Sequence, residues 1–133
     1  RREVQAKEVR LNGVGALVDG MLPKLFSTGA PAEARVRIEA QMRAARPEAV
    51  AAVLRGMAAR PDTREVLSRY AGPLLVGVGE ADVITPLERA RQLAGLVKGA
   101  TLLVVPKAGH LAHLENPKQV NDALAQLVRR AAG

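Results

Sequence analysis

Apolar residues follow two different rhythms along these 133 residues, and the change comes near Pro61. Before it they recur at helical spacing. Val4, Glu8, Leu11, Val14 and Leu17–Val18 sit on a loosely amphipathic segment, interrupted by Gly13, Gly15 and Gly20. Met21–Phe26 reads as a short apolar connector leading to a turn at Ser27-Thr28-Gly29. Val36, Ile38 and Met42, then Val50, Val53, Leu54 and Met57, give apolar stripes to helices predicted over 32–45 and 48–59. Pro31 and Pro47 stand near their first turns, where a missing N–H costs nothing.

After Pro61 the pattern alternates between short apolar runs and helical spacing. Asp62 or Thr63 caps a short helix through Tyr70, and a strand is predicted over 73–79. Thr85 is read as an N-cap with Pro86 at the first helical position, opening a helix over 86–97 that Gly99 ends. A second strand follows at 101–105. Asn116 and Pro117 repeat the cap-plus-proline signature and open a last helix, 117–131. This β-α-β-α order implies parallel strands joined by a right-handed crossover. The runs are nearly continuous, as in strands covered on both faces. Two such strands do not make a stable sheet alone, so the remainder of the sheet is expected to come from elsewhere.

Composition adds little to the fold and removes several functions. Hydrophobic residues make up 48% of the chain, enough for a core, but there is one Phe, one Tyr and no Trp. Ala, Leu and Arg favour helix. The net charge is +7, with 12 basic and 7 acidic residues over 1–64 and 8 and 6 over 65–133. These charges are scattered among alanines without a block of one sign, without aromatic interleaving and without a nucleic-acid motif. They read as solvated helix faces, or as the basic part of a larger whole, and a nucleic-acid-binding module is the weakest reading. Cysteine is absent, which excludes disulfides and thiolate metal sites and fits a cytoplasmic protein. No apolar stretch approaches the ~20 residues that span a bilayer. The chain begins Arg1-Arg2-Glu3, so a processed product, a proteolytic remnant or a portion of something longer is expected.

Candidate chemistry lies at the two strand ends. The run Leu102–Val105 leads into Pro106-Lys107-Ala108-Gly109-His110, and Leu74–Val78 leads into Gly79-Glu80-Ala81-Asp82. Parallel strands whose carboxyl ends carry an Asp and a His present both at the ligand-binding edge of an α/β sheet, as the acid–base half of a nucleophilic triad. An imidazole offers one nitrogen to accept from a nucleophile and one to donate to a carboxylate. Asp82 has a second reading, as a cap for its own turn or for the helix after Thr85. Glu80 is a competing acid, otherwise a solvated loop residue. Gly109 is expected to let the backbone turn sharply before His110. His113 is read as a packing or surface residue with a minor claim to face substrate, and it forms no metal pair with His110 for want of a third ligand. The nucleophile is missing: Ser27 and Ser68 are the only serines, and no Gly-x-Ser-x-Gly occurs.

The segment Val78-Gly79-Glu80-Ala81-Asp82-Val83-Ile84-Thr85-Pro86 resembles the one carrying the triad acid in α/β-hydrolases. Gly109-His110-Leu111-Ala112-His113-Leu114-Glu115-Asn116-Pro117 resembles their histidine segment. The resemblance covers residues 60–131 and, more weakly, residues 1–59, which are similar to the helical cap inserted before the seventh strand. It implies an α/β fold, mostly helical with two parallel strands: a cap over 1–60, and over 61–133 the C-terminal portion of the hydrolase sheet. It further implies that Asp82 is the acid, that His110 is the general base, that Glu115 ties down the loop and that Pro117 starts the final helix. The family's nucleophile and oxyanion hole precede the cap, and nothing here corresponds to them. The expected function is therefore the C-terminal part of a serine-type hydrolase for an ester or related acyl substrate, inactive by itself and needing neither metal nor organic cofactor. Its alternative is a non-catalytic assembly piece. The expected partner is an N-terminal half bearing the nucleophile, or else a second copy paired through strand 73–79, with no nucleic acid and no membrane.

Overall fold

The computed structural model describes residues 1–132. They fall into two compact units, Arg1–Pro23 with Ala32–Asp62, and Lys24–Pro31 with the residues from Thr63 onward.

The first unit is helical. It contains α1 (Arg2–Asn12), most of α2 (Gly15–Leu25), α3 (Ala32–Arg43) and α4 (Pro47–Ala59). Gly13 ends α1 with φ 78°, a left-handed value that glycine adopts without a Cβ penalty. α1 and α4 pack together through small side chains, with Ala6, Val9 and Ala51 buried. The guanidinium of Arg2 donates to the Met57 carbonyl at 3.0 Å. Arg43 joins α3 to α2 through Asp19 at 2.6 Å and also pairs with Glu39. The stretch 21–25, expected to be a connector, is instead the end of α2 and holds Pro23 inside the helix. Val18, Leu22 and Leu25 continue the helical period across the proline.

The second unit contains α5 (Arg64–Ser68), β1 (Leu75–Gly79), α6 (Leu87–Gly95), β2 (Thr101–Val105), α7 (Ala112–Glu115) and α8 (Pro117–Ala132). β1 and β2 form a parallel pair in register from Leu75 opposite Thr101 to Gly79 opposite Val105. Both strands therefore end at the same level, and the loops after them leave side by side. α6 and α8 pack on this pair. The core under the loops is Val105, Ala108 and Ala112, with Leu103 and Val120 against it. Coverage is less complete than the apolar runs suggest. Leu75, Val76 and Leu102–Val104 are only half-buried, Gly77 is exposed, and α8 buries no residue fully.

Gly79 is where the two loops meet. A Cβ on it would lie 2.1 Å from the Gly109 carbonyl oxygen and 2.4 Å from that of Ala108, both backbone atoms. Neither can move without breaking the loop. Gly79→Ala is expected to destabilise this unit by about 3 kcal/mol or more, the upper range of overpacking. Gly77→Ala, where a Cβ meets nothing within 4 Å, is the matched control. Urea unfolding monitored by circular dichroism compares them, and equal midpoints would show that the loops yield.

Candidate active site

Three hydrogen bonds zip the loop after β1 to the loop after β2. The Glu80 amide donates to the Val105 carbonyl at 2.9 Å, and the Ala81 amide to the Ala108 carbonyl at 2.8 Å. The Lys107 amide donates to Glu80 Oε2 at 3.0 Å. Glu80 is thus no idle loop carboxylate: it holds the histidine loop at its tightest point. Lys107 is the one non-glycine residue at positive φ (57°) among the described residues. The sharp turn expected at Gly109 lies at Lys107. Gly109 is needed for a different reason, since a Cβ there would lie 2.7 Å from the Phe26 carbonyl carbon and the Ser27 nitrogen.

This framework brings Asp82 and His110 together. Asp82 Oδ2 lies 2.9 Å from His110 Nδ1. The carboxylate is 3% exposed and the imidazole 32%. Oδ1 accepts from the amides of Ile84 (2.8 Å) and Thr85 (2.9 Å), and the Thr85 hydroxyl donates to Oδ2 at 2.7 Å. Burial pushes the Asp82 carboxyl up, but donors from Thr85, His110 and Ile84 outweigh it and hold the group below the usual carboxylate range. An ionised carboxylate only accepts, so Nδ1 carries a hydrogen, and in the neutral imidazole Nε2 then keeps its lone pair. Of the two readings of Asp82, the turn cap and the histidine partner, both hold at once: one oxygen serves the turn and the other the imidazole.

Thr85 does not cap a helix. Pro86 occupies the cap position of α6, and no side chain bonds the helix end. Its hydroxyl turns back to Asp82 and lies 3.3 Å from His110 Nδ1. The signal in the sequence was the Asp-x-x-Thr spacing, which places a hydroxyl three residues after an acid in a turn.

Glu115 fastens the histidine loop from the other side. Its Oε1 accepts from the Gly109 amide at 2.8 Å, and its Oε2 from the Ser27 amide at 3.1 Å and from the Ser27 hydroxyl. Asn116 caps α8 by accepting from the Gln119 amide at 3.2 Å, with Pro117 as the first helical residue. The Ser68 hydroxyl donates to the Glu65 carbonyl at 2.8 Å. Neither serine bonds His110. His113 belongs to α7, a separate short helix before the last one. Beside the Asp82–His110 pair opens a cavity of about 320 Å³. Leu75, Leu103, Val120, Leu124 and Leu127 give it apolar walls, and Thr85 and His113 also line it. No group of three or more His, Cys, Asp or Glu among the described residues could hold a metal ion.

Residues 5–123 match the alpha/beta hydrolase family. This chain belongs to that family. Among solved structures of such hydrolases, a thermophilic esterase from Thermogutta terrifontis superposes with a TM-score of 0.93 at 34% identity, covering 98% of this chain and 49% of the esterase. An enol-lactonase from Burkholderia xenovorans LB400 superposes with a TM-score of 0.80 at 24% identity, covering 93% and 48%, and shares the fold. In sequence, 84 residues, 62% of this chain, are 44% identical to the 2-succinyl-6-hydroxy-2,4-cyclohexadiene-1-carboxylate synthase of Salmonella newport (strain SL254). That match covers 31% of the synthase. This hydrolase chain therefore spans about half the length of the solved structures it matches. Among its described residues, no helix is long and apolar enough to cross a membrane.

Proposed function

We propose that this chain supplies the acid and the base of a serine-type carboxylic-ester hydrolase, with Asp82 as the acid and His110 as the base. The observation that carries the reading is the 2.9 Å bond between Asp82 Oδ2 and His110 Nδ1 at adjacent strand ends. The likeness to the Thermogutta terrifontis esterase over 98% of the chain supports an ester substrate. A seryl hydroxyl on polypeptide outside these 133 residues attacks the acyl carbon. His110 Nε2 takes the hydroxyl proton as the C–O bond forms, and Asp82 stabilises the resulting imidazolium. Collapse of the tetrahedral intermediate expels the alcohol, which takes that proton from Nε2. Water then attacks the acyl-enzyme, losing a proton to Nε2; collapse of the second tetrahedral intermediate breaks the bond to the seryl oxygen, which takes that proton back from Nε2, and the acid leaves.

The test compares the isolated chain with the same chain joined to a nucleophile-bearing N-terminal half. Alone, it is expected to hydrolyse p-nitrophenyl butyrate no faster than its His110→Ala variant, because the nucleophile and oxyanion donors supply most of the rate. Joined, it should turn over, and a fluorophosphonate should label the added half. Labelling of Ser27 or Ser68, or His110-dependent turnover by the isolated chain, would sink the shared-site reading.

The 44% identity to the synthase favours a second reading, in which the same pair serves a reaction forming a cyclohexadiene carboxylate. Assaying the joined protein with both substrate types separates the two.

A further inference from the structure

We propose that the Thr85 hydroxyl is a positioning group for the Asp82–His110 pair, holding the carboxylate oxygen that accepts the imidazole hydrogen in line with it. The inference rests on the acid–base reading above and adds to it a residue that the sequence presents as a helix cap.

Asp82 Oδ1 and Oδ2 are held differently. Oδ1 is fixed by two backbone amides, Ile84 at 2.8 Å and Thr85 at 2.9 Å. Oδ2 faces only side chains, His110 Nδ1 at 2.9 Å and the Thr85 hydroxyl at 2.7 Å. The last torsion of Asp is broad and carries both oxygens together, so each hydrogen bond to either oxygen narrows it. The imidazole is about a third open to solvent, and on Oδ2 the Thr85 hydroxyl is the second restraint beside it. The Thr85 hydroxyl closes the arrangement. It has one hydrogen, and the acceptor-only carboxylate takes it. Its lone pairs then face His110 Nδ1 at 3.3 Å, a secondary acceptor for the same N–H. Nδ1–H thus sees two oxygens and no donor, which fixes the tautomer that keeps Nε2 basic.

Threonine suits this role physically. Its β-branch restricts χ1, so its hydroxyl stays aimed at little entropic cost. The helix takes nothing from this side chain, since α6 has no side-chain cap.

The test uses the joined protein, p-nitrophenyl butyrate and four variants. His110→Gln reads the underlying acid–base role and is expected to abolish turnover. Thr85→Val keeps the branched shape without the hydroxyl. Its kcat should fall roughly tenfold, the scale of one hydrogen bond to a charged group, with KM within about twofold. Thr85→Ser keeps the hydroxyl and should restore kcat to within about threefold. The low-field proton resonance of His110 Nδ1–H, assigned by its loss in His110→Gln, should broaden or vanish in Thr85→Val and persist in Thr85→Ser. Where Thr85→Val does not fold, Thr85→Ala set against Thr85→Ser reads the same hydroxyl. Full kcat and an unchanged resonance in Thr85→Val, beside an inactive His110→Gln, overturn the Thr85 inference alone. Equal losses in the Val and Ser variants overturn it too, because packing would then be the cause. Turnover that survives His110→Gln overturns the acid–base reading instead.

Discussion

Asp82→Asn is expected to lower kcat of the joined enzyme by about 10³–10⁴ while leaving KM and the fold nearly unchanged, and the reason is directional. The Asp82 site presents two backbone N–H groups to one oxygen, Ile84 and Thr85. An asparagine must place its carbonyl oxygen there, since turning its NH₂ toward two donors would leave all three unpaired in a buried position. Its NH₂ then faces His110 Nδ1 in place of Oδ2. Nδ1 becomes an acceptor, the ring hydrogen moves to Nε2, and Nε2 no longer takes a proton from a hydroxyl. Thr85 can follow by rotating its hydroxyl to accept from the new donor. The substitution therefore reverses the polarity of the network and deprives only the Thr85 hydroxyl hydrogen of its acceptor, so stability should change by about 1 kcal/mol at most. Asp82→Ala makes the opposite trade, removing partners from both amides and losing stability as well as rate. Steady-state kinetics with p-nitrophenyl butyrate, alongside thermal melts of both variants, separate these effects. Near-normal kcat in a folded Asp82→Asn enzyme would mean that His110 is not oriented by Asp82.

How much of this was legible depended on whether a residue's partner lay near it in sequence. Strand 101–105 was placed to the residue, because a continuous apolar run is bounded by Gly99, at φ 80°, and by Pro106. The pairing of Asp82 with His110 was legible because it needs only two strand ends in register, and β1 and β2 are paired through their last residues. Thr85 differs from its expected cap role because a threonine before a proline has the local signature of a helix start, while the competing demand comes from a buried carboxylate. The role of Glu80 is hidden for a similar reason: its partner, the Lys107 amide, lies 27 positions away. Gly109 was credited with a turn, yet what requires it is the backbone of Phe26 and Ser27, from a segment far upstream. α7 leaves no mark in the pattern, since four residues carry no periodicity, and it is separated from α8 by Asn116 at φ −139° and ψ 70°.

The second large effect concerns assembly, and here the expectation is that the 133-residue chain alone does not behave as a 14.1 kDa monomer. Among the described residues the sheet of the second unit has two strands, so along β1 one edge offers unpaired N–H and C=O groups on an apolar strand. Such an edge templates pairing with further chain. The adjoining face is also open. Leu75, Leu103, Val120, Leu124 and Leu127 wall the 320 Å³ cavity, and on α8 Leu124 is 45% exposed and Val128 66%. Leaving several such side chains in water forgoes roughly 1.5–3 kcal/mol each, comparable in sum with the whole stability of a small domain. We propose that what covers edge and face is the nucleophile-bearing polypeptide, in keeping with a chain that covers 49% of the Thermogutta terrifontis esterase. Pairing of two copies through β1 is the weaker solution, because it satisfies the edge and leaves the α8 face wet. Light scattering on the isolated chain should therefore report association or aggregation. Co-expression with the N-terminal half should give a soluble complex with one copy of each and a single cooperative melt. Leu124→Glu should weaken that complex while leaving the first unit's helices intact by circular dichroism. A monodisperse monomer of the isolated chain, melting cooperatively, would show that the open edge and the apolar cavity need no cover.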